Sequence, residues 1–554
     1  MKILECYSIS LSINSFINIT ITIPAFFILL VMNLELMAAQ FQVKTSKELH
    51  ESLLIASKNN ADDTVIVRPG IYIGGFTFNS CDDKNITIKK DNNINTGHVV
   101  FDGKNRDKIL SIDLDNSIKM KIDNITFRNS IHPIYSKANG KEDITITNCI
   151  FMGQSNSYIY FTSHNKVSFS YNTLSNTKIQ IQNSSSHFFL LSNCTFTNNS
   201  FKIGDIQSVC VNVIDNYIVN NSQCFSIHAQ TGRISGNIIS QNKSSLRISA
   251  REIVIQNNIV SNNQNASSNG GGGIYVNSYN VYLKNNDIQD NSTSGNGGGI
   301  FIQTDFTNDK NLNTVVLLSN NIIRNNSSLN GGGIYISPHN QLYFVNNTIV
   351  NNTAEHDGGG LYLDRSEQRG NNQSFNIYNN IIYYNESGDS GDDIFIWGYN
   401  GITNVYNNNY KNLSGEIENN DQNIDTSPLF FNQINNDYYL SPNSPCVDKG
   451  NNNAPELPSI DKDGDQRINN NIVDIGAYEH STTITHPADT NKDYTITQSE
   501  FNNYNQAWRN DTYWQNNPTP VAADYLTRAG YILQKGGKYK NTGARKPLCW
   551  EPEN

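Results

Sequence analysis

One phrase recurs along this chain and restricts its fold more than any other feature. It reads SNNIIRNN at 319–326, VNNTIVNN at 345–352, QNNIVSNN at 256–263, KNNDIQDN at 284–291 and YNNIIYYN at 378–385. Aligning its second Asn gives a column, Asn216, Asn237, Asn258, Asn286, Asn321, Asn347 and Asn380, which runs back through Asn172 with Cys149 and Cys194 standing where Asn would be. Successive steps from Cys149 are 23, 22, 22, 21, 21, 28, 35, 26 and 33 residues, so short early turns give way to turns carrying longer loops. A second phrase follows the first in fixed order: GGGIYV at 271–276, GGGIFI at 297–302, GGGIYI at 331–336, GGGLYL at 358–363 and GDDIFI at 391–396. Two motifs in fixed order at one period mean stacked coils rather than independent domains. A coil of this length suits three short strands and three corners.

In such a coil alternate strand side chains point inward, and stacking at about 4.8 Å sets equivalent residues over one another. Ile and Val then form core ladders. An Asn at an inward corner can donate its amide to the same Asn of the next coil and so satisfy buried polar groups along the stack. The Gly clusters belong at corners that need positive φ or a tight approach. A helical solenoid is disfavoured because Gly and Asn pairs interrupt every dozen residues. The predicted fold is all-β, a right-handed parallel β-helix of the pectate-lyase-like kind, with a small α-rich module at the C-terminal end.

The first 39 residues read as an export signal, with Lys2 near the start, an apolar stretch from Ile21 to Met32 and a small-residue end at Ala38–Ala39. The apolar run is shorter than the roughly 20 residues a membrane span needs, so no span is expected in the mature chain. TSKELHESLLIASKNN (45–60) is predicted to be an N-terminal cap helix: Thr45 and Glu48 form a capping-box pattern, and Leu49, Leu53 and Ala56 share a face. DDTVIVRPGIYIGG (62–75) reads as the first strand and corner. The β-helix with its cap is expected over 40–400, a closing region over 401–480 and a tail module over 481–554.

The apolar fraction is 37%, low for a globular chain, yet 28 Tyr, 24 Phe and abundant Ile argue against disorder. Net charge is −10 and no dense Lys/Arg run is present, which excludes nucleic acid as an expected partner. The seven cysteines after Cys6 show no metal-ligand spacing and read as packing residues.

The run DTSPLFFNQINNDYYLSPNSPCVDKG (425–450), then DKDGDQR (461–467) and DIGAYEH (474–480), resembles the end of β-helix proteins carrying a choice-of-anchor Q region. That resemblance implies a closing segment on a bacterial, exported, surface-associated protein; it does not imply catalysis. Read from the residues, Asp448, Asp461, Asp463, Asp465, Asp474 and Glu479 surround Arg467. A network of turns with Arg467 clamped by carboxylates is the first reading, and calcium at Asp461, Asp463 and Asp465 the second.

In ADTNKDYTITQSEF, Asp489, Asn491, Asp493, Thr495 and Glu500 occupy positions 1, 3, 5, 7 and 12 of an EF-hand-type loop, which makes calcium the expected cofactor. Tyr494 stands where that loop takes Gly. The stretch resembles one dockerin repeat, whereas a dockerin has two, which puts a cohesin-type partner in doubt. Trp508, Trp514 and Trp550 are expected to form a small core in the tail.

The paired Asp, Gly-His-Gly and Arg-x-Lys set of a polygalacturonase-like site is absent from the sequence. Asp392 and Asp393 replace glycines of the repeated phrase and read as corner residues. The candidate catalytic residues are Asp364, Arg365 and Asp357, with Glu355 and His356 nearby. The expected function is a secreted or cell-surface bacterial protein that binds polysaccharide or a surface glycan, or mediates surface contact, without catalysis. A polysaccharide lyase or glycoside hydrolase is the alternative.

Overall fold

The computed structural model describes residues 39–115, 117–181, 187–304, 314–338, 340–366, 373–469, 471–480, 485–516 and 521–553. The export-signal reading falls on residues that lie, apart from Ala39, outside the described ones. The chain is a parallel β-solenoid of about 14 turns with few helices. It divides into two compact units, the first reaching Val254 and including Asn258–Asn265, the second holding Ile255–Asn257 and everything from Ala266 onward. No described helix is long and apolar enough to cross a membrane.

Strand Gln40–Val43 opens the first unit and pairs in parallel with Asp63–Val67. Between them lies helix α1, Ser46–Ala56, which buries Leu49, Ser52, Leu53 and Ala56. Thr45 Oγ1 accepts from Glu48 N at 3.2 Å, but the Glu48 carboxylate reaches Lys44 N at 2.7 Å rather than closing a box on Thr45. Parallel register then builds an inward ladder through Val65, Ile88, Ile122, Ile146, Phe169, Leu191 and Val213. All are buried.

In the second unit each coil contributes a Gly-led strand, a middle strand and a short strand between two Asn corners. Inward ladders are Ile274–Ile300–Ile334–Leu361–Ile394, Leu283–Leu318–Phe344–Ile377–Val405 and Ile288–Ile323–Ile349–Ile382. A fourth run of two residues per coil, from Ser292–Thr293 to Glu386–Ser387, forms a sheet of its own that the three-strand expectation lacked.

The recurring Asn pair divides its labour. The first Asn turns the corner in the left-handed region, with φ between +52° and +60° at Asn285, Asn320, Asn346, Asn379 and Asn407, a conformation Asn tolerates better than most residues. The second points inward. Asn347 is typical: its N and Nδ2 donate to Asn380 Oδ1 at 2.8 and 3.0 Å, its Nδ2 also donates to Leu318 O at 3.0 Å, and its Oδ1 accepts from Asn321 N and Nδ2 at 3.1 and 2.9 Å. Asn216, Asn237 and Asn258 repeat the pattern in the first unit, and Asn286 and Asn321 in the second. Cys194 occupies the same corner, its Sγ accepting from Asn172 N at 3.4 Å.

Five residues on, the second pair of the phrase makes a second ladder. It runs through Asn199, Asn221, Asn242 and Asn263 in the first unit and Asn291, Asn326, Asn352 and Asn385 in the second. It ends on Asp393, whose Oδ1 accepts from Asn385 Nδ2 at 3.1 Å and whose Oδ2 takes Lys411 N and Asn412 N. A carboxylate suits this last rung because it can only accept. Of the Gly clusters, Gly331 has φ +64°, while a Cβ on Gly332 would lie 2.5 Å from the Gly359 carbonyl of the next coil.

The closing region packs on the corner asparagines of the second unit. Asn320 Nδ2 donates to Ile460 O, Asn346 Nδ2 to Asp474 O and Gly476 O, Asn379 Oδ1 accepts from Asn451 N, and Asn407 Nδ2 donates to Lys449 O. Apolar side chains seal the contact, with Ile322, Val350 and Ile381 of the coils buried against Tyr438, Leu440, Cys446 and Ile475. Five of the seven described cysteines are buried and all are free.

Candidate functional site

The Gly-led strands of the second unit carry the most chemistry. Alternation sends the residue after each inward Ile or Leu to the outside, and in every coil that residue is aromatic: Tyr275, Phe301, Tyr335, Tyr362 and Phe395. Their rings follow one another at 5.1, 5.1, 4.7 and 5.0 Å between centroids. Phe395 is followed by Trp397 at 6.4 Å and 13° between planes. Rings inside the column cover one another's faces, whereas Trp397 is 55% and Tyr399 78% exposed.

Asp364 pairs in register with Trp397. Its Oδ2 accepts from the Tyr335 hydroxyl at 2.8 Å and its Oδ1 from Ser366 N at 2.9 Å. Burial, then the charges of Asp364 and Asp357, push the Tyr362 hydroxyl up to about 12. The Asp357 carboxyl is itself raised, mainly by burial and then by Asp389. Both acids therefore act on one ring of the column.

Arg365 goes elsewhere. It is 1% exposed, and its guanidinium donates to both Glu418 oxygens at 3.0 and 2.9 Å, to Thr403 Oγ1 at 2.8 Å, and to the carbonyls of Gly398 and Glu416. It ties the last coils together and is not presented beside Asp364. His356 pairs with Asp389 at 2.9 Å on the exposed corner.

The acids of the closing region do not converge. Asp461 accepts from the backbone N of Asp463, Asp465 and Glu479, Asp463 meets the Tyr439 hydroxyl, and Asp465 meets Lys546. Arg467 is buried and donates to Gly476 O, Ala477 O and Asn320 Oδ1, with Glu479 at 3.7 Å and the charges of Asp461, Glu479 and Asp474 acting on it. The direct hydrogen bonds of Arg467 thus go to carbonyl and amide oxygens, while the surrounding carboxylates accept turn N–H groups and act on it through their charge. Burial pushes Asp474 up to about 7.

In the tail, helices α2 (Gln498–Arg509) and α3 (Ala523–Gln534) enclose Tyr504, Ile532, Tyr539 and Trp550. Trp514 packs against this core, while Trp508 is 42% exposed and does not share it. Tyr494 takes φ +61°, the conformation its loop position demands. Asp489 accepts from Asp493 N, Tyr494 N and the Tyr539 hydroxyl; Asn491 and Asp493 bond to each other at 2.9 Å; Thr495 N donates to Asp493. Glu500 lies outside this set: Thr490 occupies its Oε1 and Thr497 its Oε2, the latter within a full capping box. Among the described residues no group of three His, Cys, Asp or Glu side chains is gathered as a metal ion needs.

Neither the aromatic column nor Trp397 is among the residues expected from sequence at a site. The signal was present in the second letter after each Gly run, always Tyr or Phe. Comparison with known proteins finds no family model, no curated protein and no solved structure that matches this chain.

Proposed function

We propose that this chain is an exported bacterial surface or extracellular β-helix protein that binds carbohydrate without catalysis, using the Gly-strand face of its second unit. The observation that carries the reading is the aromatic column ending at exposed Trp397 and Tyr399, with Asp364 in register beside it. An open indole packs against the C–H face of a sugar while a neighbouring carboxylate accepts from its hydroxyls. The candidate acids favour binding over bond cleavage, because Asp364 is engaged by Tyr335 and Ser366 and Arg365 is withdrawn into the fold. The choice-of-anchor Q resemblance supports a surface location.

Calcium is proposed as the ligand of the tail loop, with Asp489, Asn491, Asp493 and Thr495 as its holders. Glu500 joins only by releasing Thr490 or Thr497. Calcium there would fix the loop ahead of α2; it takes no part in the glycan face.

The test is to incubate the chain with neutral and acidic polysaccharides, with and without calcium, and follow binding, new reducing ends and ultraviolet absorbance from unsaturated products. Binding without product, weakened by Trp397→Ala, is expected. Reducing ends with that absorbance would replace the reading by a lyase, and reducing ends without it by a hydrolase.

A further inference from the structure

The first coil holds an unbalanced acid where strand Gln40–Val43 begins. Asp63 opens the neighbouring strand Asp63–Val67 and is 3% exposed. Its Oδ1 accepts from Ala39 N at 3.3 Å and from Asn59 Nδ2 at 3.1 Å. Its Oδ2 is buried and, among the described residues, has no hydrogen-bond partner. Asp62 and Asp82 add negative charge nearby; the first accepts from Asn85 N, the second from Asn60 N and Lys84 N. Burial pushes the Asp63 carboxyl up to about 6.

A buried carboxylate with an idle oxygen and acids for neighbours is costly unless a cation pairs with it. Nothing has to enter the fold to supply one. Ala39 is itself buried, its carbonyl accepts Thr64 N at 2.9 Å, and its nitrogen already lies against the carboxylate. Within an uncut chain that nitrogen is a neutral amide with one hydrogen, whereas at the start of a chain it is an ammonium with three at neutral pH. The residues ahead of it carry the export pattern, an apolar stretch followed by the small pair Ala38–Ala39.

We infer that export removes residues 1–38 by hydrolysis of the Ala38–Ala39 peptide bond, and that Asp63 captures the new α-ammonium of Ala39 as a buried ion pair. Water adds its hydroxyl to the Ala38 carbonyl carbon and a hydrogen to the Ala39 nitrogen, which takes a further proton from solution. A peptidase of the export machinery supplies the catalysis. One N–H keeps the bond to Oδ1 and another takes Oδ2. The pair fixes Gln40–Val43 against Asp63–Val67, so the first coil closes fully only after the leader has gone. The inference rests on the export reading and adds to it the bond that is cut and the fate of the new terminus.

The full chain is expressed with export, and the first residue of the exported protein is read by terminal sequencing. Ala39 is expected. The exported protein is then compared with a chain beginning at Ala38, which changes no described side chain but turns the ammonium of Ala39 back into an amide. Hydrogen exchange at Thr64 N and through Gln40–Val43 should be about 10- to 100-fold slower in the chain beginning at Ala39. Asp63→Asn should remove that difference. The Ala39 amine should also be acetylated at least about tenfold more slowly in the native chain than in urea, a readout that needs no variant. An exported protein beginning at another residue, equal exchange in the two chains, or an Ala39 amine as reactive as in urea overturns the ion pair while leaving export in place. A chain that keeps residues 1–38 and stays in the cell would sink the export reading as well.

Discussion

Replacing Asn347 tests the account of the solenoid at its centre. The side chain accepts from Asn321 N and Nδ2 and donates to Asn380 Oδ1, Leu318 O and Val345 O. Asn347→Ala strands the Asn321 N–H outright, leaves the Asn321 amide only its bond to Leu283 O, and removes a donor from two buried carbonyls. At about 1–3 kcal/mol for each stranded buried group, and with the amide partly served, the expected loss is roughly 3–5 kcal/mol. Asn347→Cys should cost about half as much, since the Cys194 sulfur already accepts the equivalent Asn172 N–H at 3.4 Å. Urea unfolding followed by far-ultraviolet circular dichroism gives the total. Hydrogen exchange across the coils containing Asn321 and Asn380 shows whether the loss is local, as neighbour-only coupling in a solenoid requires. An alanine variant losing under about 1 kcal/mol, or a cysteine variant as damaged as the alanine one, would refute the ladder as a source of stability.

Arg365→Met should cost about 1–3 kcal/mol by leaving the carbonyls of Gly398 and Glu416 without their donor, since Glu418 is exposed to solvent, and hydrogen exchange should rise in the strands Ile402–Tyr406 and Asn419–Asp421. His486 sits in the tail core as a neutral ring, Ala488 N donating to its Nδ1 and its Nε2 facing Tyr525 O, and burial pushes it down to about 3. The unfolded chain binds the extra proton between that value and about 6.5, so the tail's stability is complete above pH 6.5 and falls by roughly 1.4 kcal/mol per unit below it. Urea unfolding of α2 and α3 at pH 7 and pH 5 reads this slope, and His486→Gln should remove it. Tyr494→Gly, relieving φ +61°, should tighten calcium binding by calorimetry; no gain would count against a calcium loop.

The aligned Asn column and the Gly-led phrase each identify a coil corner from composition and spacing alone, because a stacked fold repeats its sequence demands at every turn. The second Asn column and the outward aromatic residues were equally legible, since both sit at fixed offsets within phrases already aligned. Thr45 and the Leu49, Leu53 and Ala56 stripe likewise locate α1 from local preference. The partners of Arg365 and Arg467 were not legible. Glu418 lies 53 residues beyond Arg365 and Asn320 lies 147 residues before Arg467, and no local rule relates such positions.

The same limit governs the acids. Asp461, Asp463 and Asp465 look like a cation loop in one dimension, and only packing reveals that backbone N–H groups, Tyr439 and Lys546 claim them separately. The sequence by itself determined the parallel coil, its inward ladders and its left-handed Asn corners, because stacking imposes identical environments at one period. The tertiary structure decided which corner asparagines hold the closing region, which acids remain available and that Asp63 is buried against Ala39. Those outcomes depend on which distant groups desolvate one another, and that is settled only when the chain has closed around them.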